Sequence, residues 1–139
     1  MVQKLPESLE LEIVTPSELL FSGKVDMVTV PGLSGYLGIL PGHAPLLSEL
    51  KAGVVSYRIG GETRRLFCGW GFVEVLPGRV SVLTEAAEPP DRIDVAQAER
   101  DKTEAELRLR SKDPETDFQR LVEQWEAAVA RLEVARSGW

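Results

Sequence analysis

The chain has 139 residues, with 16 lysine and arginine residues against 22 aspartate and glutamate residues, so its formal net charge is −6. This acidic balance argues against a nucleic-acid binder and against an anionic-lipid binder, because both need a basic surface, and we also expect no direct membrane insertion. Cys68 is the one cysteine and His43 the one histidine, which excludes a disulfide framework and a Cys/His zinc site. We expect no metal site and no signal peptide. We also expect no membrane-spanning helix, because no apolar run approaches roughly 20 residues.

The β-rich first part of the chain is predicted from short strand patterns. Residues 9–13 alternate apolar and polar side chains, which is typical of a strand with one buried face. Gly60-Gly61 and Pro77-Gly78 indicate two hairpin turns. Further strands are predicted at residues 25–30, 54–59, 63–67, 72–76 and 79–83. Turn signals at this frequency favour an antiparallel β-sandwich or barrel.

Residues 30–47 combine apolar side chains with an unusual number of turn residues. They place Leu33, Tyr36, Leu37 and Leu40 on a glycine-rich backbone, which predicts loops rather than strands. A buried loop rarely needs so many turn residues, whereas an exposed apolar patch on shaped loops is typical of a protein interface.

The composition changes abruptly near Pro89 and Pro90. Residues 1–90 hold 11 of the 12 glycines and 17 charged residues, whereas residues 91–139 hold 21 charged residues in about half the length. A double proline suits a short stiff linker, because proline continues neither a strand ladder nor a helix. The predicted units are a β-domain, a linker and a helical region at residues 1–88, 89–92 and 93–139.

The helical region predicts an antiparallel two-helix hairpin. Asp94 is expected to cap the first helix with Gln97 in the capping-box position, and Asp113 with Pro114 is expected to begin the second. The apolar positions of the first helix are Val95, Ala98, Ala105 and Leu109. Those of the second are Phe118, Leu121, Val122, Trp125, Ala128, Val129, Leu132 and Ala135. Because the first stripe is thin, a further surface must cover the hairpin: either its own β-domain permanently, or partners that change.

Patterns for catalysis fail on inspection. The chain has no G-x-x-x-x-G-K-[ST] phosphate loop, and the glycines of residues 32–38 lead into Ile39-Leu40-Pro41 where a dinucleotide fingerprint needs a helix. A Cys–His nucleophile pair would require Cys68 and His43 to meet, and Cys68 fits a small core residue better. No carboxylate stands in an apolar run that would shift its pKa strongly. We therefore expect a protein that is not an enzyme.

Residues 38–47, Gly-Ile-Leu-Pro-Gly-His-Ala-Pro-Leu-Leu, closely resemble the signature of the epsilon subunit of F-type ATP synthases. Phe21-Ser22-Gly23, residues 69–75 and Ile93-Asp94 match the same family, and the resemblance spans residues 9 to 135. It implies a non-catalytic rotor subunit of the central stalk that couples the gamma subunit to the membrane c-ring during proton-driven ATP synthesis. It also implies a peripheral position on the cytoplasmic face of a bacterial inner membrane.

The resemblance implies a partner for each surface. Expected gamma contacts are Thr15, Pro41, Gly42, His43 and Ala44. Expected c-ring contacts are Gly35, Tyr36, Leu37 and Gly38. The hairpin would inhibit ATP hydrolysis by reaching the alpha and beta subunits through Arg120, Arg131 and Arg136. From the residues alone, a turn role for His43 and an ordinary solvated face for the arginines remain alternatives.

Some members of that family bind ATP at the folded hairpin through an I-D-x-x-R-A motif and further arginines on the second helix. Here Gln97 replaces the motif arginine and Ala127 stands at a second arginine position. Glutamine carries no charge, so the strongest contact to phosphate is lost. We expect no cofactor, with ATP affinity of about millimolar or weaker. The residues of a vestigial nucleotide site would be Ile93, Asp94, Ala98 and Arg131.

Two hypotheses remain at this point. The first is a structural and regulatory stalk subunit. The second is a stand-alone β-sandwich module whose glycine-rich loop binds a small ligand or a peptide. The sequence does not decide whether the hairpin is compact or extended, how strongly it inhibits, or whether protons or sodium ions drive the motor.

Overall fold

Ten strands followed by two helices make up the computed structural model, which describes residues 5–137. The strands are β1 Leu9–Val14, β2 Leu19–Val25, β3 Met27–Gly32, β4 Gly35–Ile39, β5 Leu46–Leu50, β6 Gly53–Ile59, β7 Glu62–Cys68, β8 Gly71–Leu76, β9 Arg79–Thr84 and β10 Ala87–Glu88. A 3₁₀ turn at Pro90–Arg92 leads into α1 Val95–Arg110 and α2 Phe118–Ser137. The predicted β-sandwich followed by a helical hairpin is confirmed.

The strands pair in the order β10-β7-β6-β3-β5-β8-β9-β1-β2, and β4 pairs with β3. Every pair is antiparallel except β1 with β9, which is parallel, so the prediction of a wholly antiparallel sandwich is wrong at this one place. The sheet curls until β2 faces β6, where the rings of Phe21 and Tyr57 lie 4.6 Å apart between centroids. The result is a nearly closed barrel with one apolar interior.

The interior is filled by the inward side of the alternating strands. In β1, Leu9, Leu11 and Ile13 are buried, while the residues between them face outward or are half-buried. Cys68 lies in the same core, as predicted for a small core residue. Its burial raises the pKa of the thiol to about 12, because the charged thiolate is disfavoured away from water.

The prediction of loops over residues 30–47 is wrong, because this stretch contains the end of β3 together with β4 and β5. Glycine here serves a tight β3–β4 hairpin. Gly35 has φ of 140°, which favours glycine, and a Cβ on Gly32 would lie 2.9 Å from the carbonyl oxygen of Gly35. The glycines of this stretch therefore indicate that two backbone segments approach each other closely within the sheet.

The helix boundaries agree with prediction at one end of the hairpin only. The Asp94 carboxylate accepts from the Gln97 amide at 3.0 Å and caps α1, as expected. The predicted start of α2 at Asp113 and Pro114 is wrong, because the Asp113 carboxylate accepts from Glu115 N in a separate turn. Asp117 takes the capping position instead, accepting from the Arg120 amide at 3.2 Å.

Candidate functional site: interaction surfaces

Strand β4 of the β3–β4 hairpin carries the residues expected to meet the c-ring. Gly35, Tyr36 and Gly38 are exposed, whereas Leu37 is half-buried and packs against the main core. Tyr36 is 56% exposed, and its hydroxyl accepts a hydrogen bond from the Val54 amide at 3.1 Å. The ring is thus fixed at one end and offers its face to solvent.

The turn after β4 contains most of the expected gamma contacts. Pro41, Gly42 and His43 are half-buried, and Ala44 is exposed. The His43 ring Nδ1 donates to the Ala44 carbonyl at 2.7 Å, and its backbone amide donates to Leu40 O at 3.1 Å. Local backbone therefore holds this histidine, as the turn alternative requires, while part of the ring stays accessible.

Thr15 lies apart from that turn. Gly42 N donates to Pro77 O at 2.7 Å, which fixes the turn beside the start of β9, whereas Thr15 follows Val14, the partner of Leu83 near the end of β9. The Thr15 hydroxyl accepts from the Glu18 amide at 3.2 Å in its own turn. The structure thus places the expected gamma contacts at opposite ends of β9 rather than in one cluster.

The surface between those ends is apolar, and the sequence prediction missed it. We define the outer face as the exposed side of β5, β8 and β9, whose apolar residues are Leu47, Phe72, Leu76 and Leu83. Phe72 is 41% exposed and pairs in register with Leu83, which is 48% exposed. Trp70 extends the row, because its ring contacts Phe72 edge-on at 5.2 Å and its Nε1 donates to Glu49. Exposed Glu74 separates Phe72 from Leu76 on this face, so the apolar row consists of Trp70, Phe72 and Leu83, and such an exposed apolar group on a sheet indicates a protein interface.

A fixed charged cluster lies on the outer face and on the neighbouring strand β1, beside the apolar row. The Glu12 carboxylate accepts from Arg79 Nη2 and from Ser81 Oγ, both at 3.1 Å. The bonds from Arg79 and then Ser81 lower the pKa of Glu12, because both favour the charged carboxylate. An apolar row with a polar border is the usual anatomy of a protein–protein contact.

The hairpin is docked on the sandwich in this structure. α2 lies on β6 and β7, and α1 packs along α2. The apolar cluster between hairpin and sandwich contains Val54, Phe67, Ile93, Ala130 and Val134. Arg131 donates from Nε and Nη2 to the two Glu88 carboxylate oxygens at 3.0 and 3.1 Å, and its guanidinium lies 4.1 Å from the Phe67 ring centroid. Lys51 and Glu126 form a second bridge at 3.1 Å.

The expected hairpin residues have divergent environments. Arg120 and Arg136 are exposed, whereas Arg131 is half-buried and bound to Glu88. Of the other residues of the vestigial nucleotide site, Ile93 and Ala98 are buried and Asp94 caps α1. The structure brings Ile93 and Arg131 together at Phe67.

Gln97, which replaces the motif arginine, is engaged on its own helix. Its Nε2 donates to Asp101 Oδ1 at 2.8 Å, and its Oε1 accepts from Arg100 at 2.7 Å. Within residues 5–137, no three His, Cys, Asp or Glu side chains are grouped to hold a metal. The two helices described are also too polar to cross a bilayer.

Comparison with known proteins gives matches over nearly the whole chain. Residues 8–90 match the β-sandwich domain of the ATP synthase delta/epsilon chain, and residues 91–136 match its long α-helix domain. The chain is 50% identical over 111 residues to the ATP synthase epsilon chain of Koribacter versatilis, covering 80% of this chain and 78% of that one. It is 43% identical over 131 residues to the ATP synthase epsilon chain of Syntrophobacter fumaroxidans, covering 94% and 98%.

Solved structures share the fold. A chain of the Euglena gracilis mitochondrial ATP synthase (OSCP, F1 and c-ring) superposes with a TM-score of 0.81 at 24% identity, covering 96% of this chain and 84% of that one. A chain of the Tetrahymena thermophila mitochondrial ATP synthase central stalk and c-ring gives a TM-score of 0.56 at 16% identity, covering 96% and 95%. At these identities the likeness concerns architecture alone.

Proposed function

The chain belongs to the ATP synthase delta/epsilon chain family, and from this we propose that it is a central-stalk rotor subunit that couples gamma to the c-ring. The observation that carries the proposal is the match of both domains, in order, over residues 8–136. The subunit contributes no catalytic group of its own in this proposal. The functional units are a coupling sandwich, a linker and a regulatory hairpin at residues 1–88, 89–92 and 93–139.

The outer face supports a contact with gamma. Its apolar row lies between Thr15 and the turn containing His43, so one partner covering the row would meet both. Phe72 and Leu83 are 41% and 48% exposed, so covering them contributes about 1 kcal/mol each to the free energy of such a contact. The gamma surface in this proposal is therefore the outer face together with Thr15 and residues 41–44.

The β3–β4 hairpin supports a contact with the c-ring. Gly35, Tyr36 and Gly38 are exposed along β4, next to the tip of the hairpin, and Leu37 anchors the strand by packing on the core. A rigid tip suits torque transmission, because a soft loop would deform under load instead of turning its partner. The exposed Leu33 belongs to the same tip and extends the proposed surface.

The hairpin supports regulation. We assign Arg120 and Arg136 to contacts with the alpha and beta subunits when the hairpin leaves the sandwich, with Arg131 released from Glu88 at the same time. We propose that the subunit binds no cofactor, because the Gln97 side chain is hydrogen-bonded to Asp101 and Arg100. The subunit lies peripherally at the cytoplasmic face of a bacterial inner membrane in this scheme.

Tagged purification from native membranes tests the proposal. Wild-type chain should recover gamma, alpha and beta subunits together. Phe72→Glu should lose gamma, because a charge on the apolar row opposes its burial. Glu62→Lys, at an exposed residue of β7, is the matched control and should retain the complex. Recovery of the wild-type chain alone, under conditions that keep the motor intact, would favour the stand-alone binding module instead.

A further inference from the structure

We infer that a two-ended ionic clamp, Glu88–Arg131 and Lys51–Glu126, sets the population of the docked hairpin. The inference concerns how this chain holds its own helices, and it rests on the proposed function only for its effect on ATP hydrolysis. Both ion pairs join α2 to the sandwich, because Glu88 ends β10 and Lys51 lies between β5 and β6.

The apolar contribution to docking is small. Val54 and Phe67 of the sandwich meet Ile93, Ala130 and Val134, and the half-buried residues packed around them are alanines. α1 contributes no residue to this cluster. An alanine brings a single methyl group, so each contact removes little apolar area from water.

The apolar contact lies mainly in the C-terminal half of α2, with Ala127 at its edge. Beside the N-terminal half lies an open groove of about 870 Å³, lined on one side by α2 residues such as Val122 and Glu123 and on the other by Ala52 and Trp70. This half of the helix therefore adds little to docking, and polar contacts at the edges of the cluster gain weight.

The Glu88–Arg131 pair has the geometry of a strong contact. It is bidentate, it stacks on Phe67, and the side chains are 28% exposed for Arg131 and 27% for Glu88. Planar two-point pairing and partial removal from water both strengthen a charge-assisted bond. Glu88 ends β10 directly before Pro89, so the clamp closes the hairpin against the strand from which the linker departs.

The Lys51–Glu126 pair is the weaker end. It makes one bond at 3.1 Å, and its side chains are 42% and 35% exposed. Salt screens such a pair more than the half-buried one. Because both pairs exist only when the hairpin is docked, each shifts the equilibrium between docked and undocked states by its own interaction free energy.

Labels on the full-length chain measure this equilibrium directly. One label goes on Ser34→Cys in the β3–β4 turn and the other on Ser111→Cys after α1, both exposed, in a Cys68→Ala background. Glu88→Gln should raise the undocked fraction about tenfold, in line with the loss of one charge-assisted pair. Glu104→Gln is the matched control, because it removes a pair with Arg108 that lies wholly within α1.

A double-mutant cycle separates the clamp from local damage. Arg131→Gln and Glu88→Gln together should undock the hairpin no more than Arg131→Gln alone, because Arg131→Gln already removes the ion pair along with the contact to Phe67. Additive effects, or a Glu88→Gln chain with the wild-type distance distribution, would overturn the inference. A salt series tests the clamp on the wild-type chain, so no variant has to fold. The undocked fraction should rise from about 0.05 M to about 1 M NaCl, and an unchanged fraction counts against the clamp.

The assembled motor gives a separate readout. Glu88→Gln should lower ATP hydrolysis relative to Glu104→Gln, because a released hairpin is free to inhibit. A shift in label distance without a change in hydrolysis would uphold the clamp and refute the proposed inhibition. Unchanged distances in an intact, hydrolysing complex would refute the clamp and leave the stalk assignment standing.

Discussion

The sandwich and the hairpin are stabilised in different ways. The sandwich closes around fully buried branched and aromatic side chains such as Leu9, Ile13 and Leu66. The hairpin meets it through a small apolar cluster that includes Phe67, Val134 and several alanines, and through two ion pairs. A large apolar core is insensitive to salt and partners, whereas a small mixed contact responds to both. One chain thus combines a rigid coupling body with a helical element held by reversible contacts.

The largest expected effect comes from Gly71 in the sandwich. A Cβ there would lie 2.0 Å from the Leu83 carbonyl oxygen, so Gly71→Ala must displace backbone between β8 and β9 and should cost about 3 kcal/mol or more. Gly38→Ala is the matched control, since its nearest neighbour is the flexible Met27 side chain at 3.5 Å. Urea unfolding measures both, and equal midpoints would contradict the close-approach argument.

Core truncations should separate the two regions. Leu66→Ala, fully buried in the sandwich, should cost about 2–5 kcal/mol in the free energy of unfolding. Val134→Ala, buried beneath the hairpin, should cost roughly 1–2 kcal/mol and raise hydrogen exchange in α2 alone. Exchange that rises equally across β8 and β9 in the second variant would show a single cooperative unit.

Removing residues 91–139 sharpens the same comparison. The sandwich should keep its circular dichroism and nearly its urea midpoint, because its main core is separate from the apolar cluster and the ion pairs that the hairpin makes. In the assembled motor, assembly should persist and ATP hydrolysis should rise. Unchanged hydrolysis by the truncated complex, measured against full-length chain, would refute inhibition by the hairpin.

Cys68 predicts an alkaline response of the sandwich. Its pKa is raised by burial to about 12, so stability is fully present below the ordinary thiol value near 9 and is lost as the pH rises through about 12. The urea midpoint should therefore fall between about pH 8 and about pH 10.5 in wild type, and less in Cys68→Ala. Rapid alkylation of the native thiol at about pH 8 would contradict the buried, protonated state.

The smallest expected effect is an acid response at Glu12. Arg79 and then Ser81 lower its pKa from 4.5, so its stabilising contribution is present above that value and is lost as the pH falls through the lowered one. The carboxylate is solvent-accessible, so the change should be slight. Urea midpoints between about pH 6 and about pH 3 should fall slightly further in wild type than in Glu12→Gln.

Local sequence predicted most strands and the first helix cap, because those depend on alternation and on neighbours such as Asp94 and Gln97. It failed at the start of α2, because Asp113 and Asp117 are both good N-cap residues and tertiary packing decides between them. It also missed the Glu88–Arg131 pair, whose members are 43 residues apart in the chain.

The outer face shows the same limit. Alternation located β8 but did not reveal that its outward phase, at Phe72 and Leu76, is apolar on an exposed sheet. The available signal was an aromatic residue in the phase where a solvated strand carries polar ones. The resemblance indicated partner residues one by one, whereas the row between them became visible only in the folded sheet.

The parallel pairing of β1 with β9 affects the order in which the chain can fold during its synthesis. Glu10 waits for Arg79, so the first strand synthesised finds its neighbour only when almost all of the sandwich has been made. Closing so long a loop is slow, so the barrel closes late. The strands that carry α2, β6 and β7, pair with each other and precede β9 in the chain, so the docking surface does not depend on this closure.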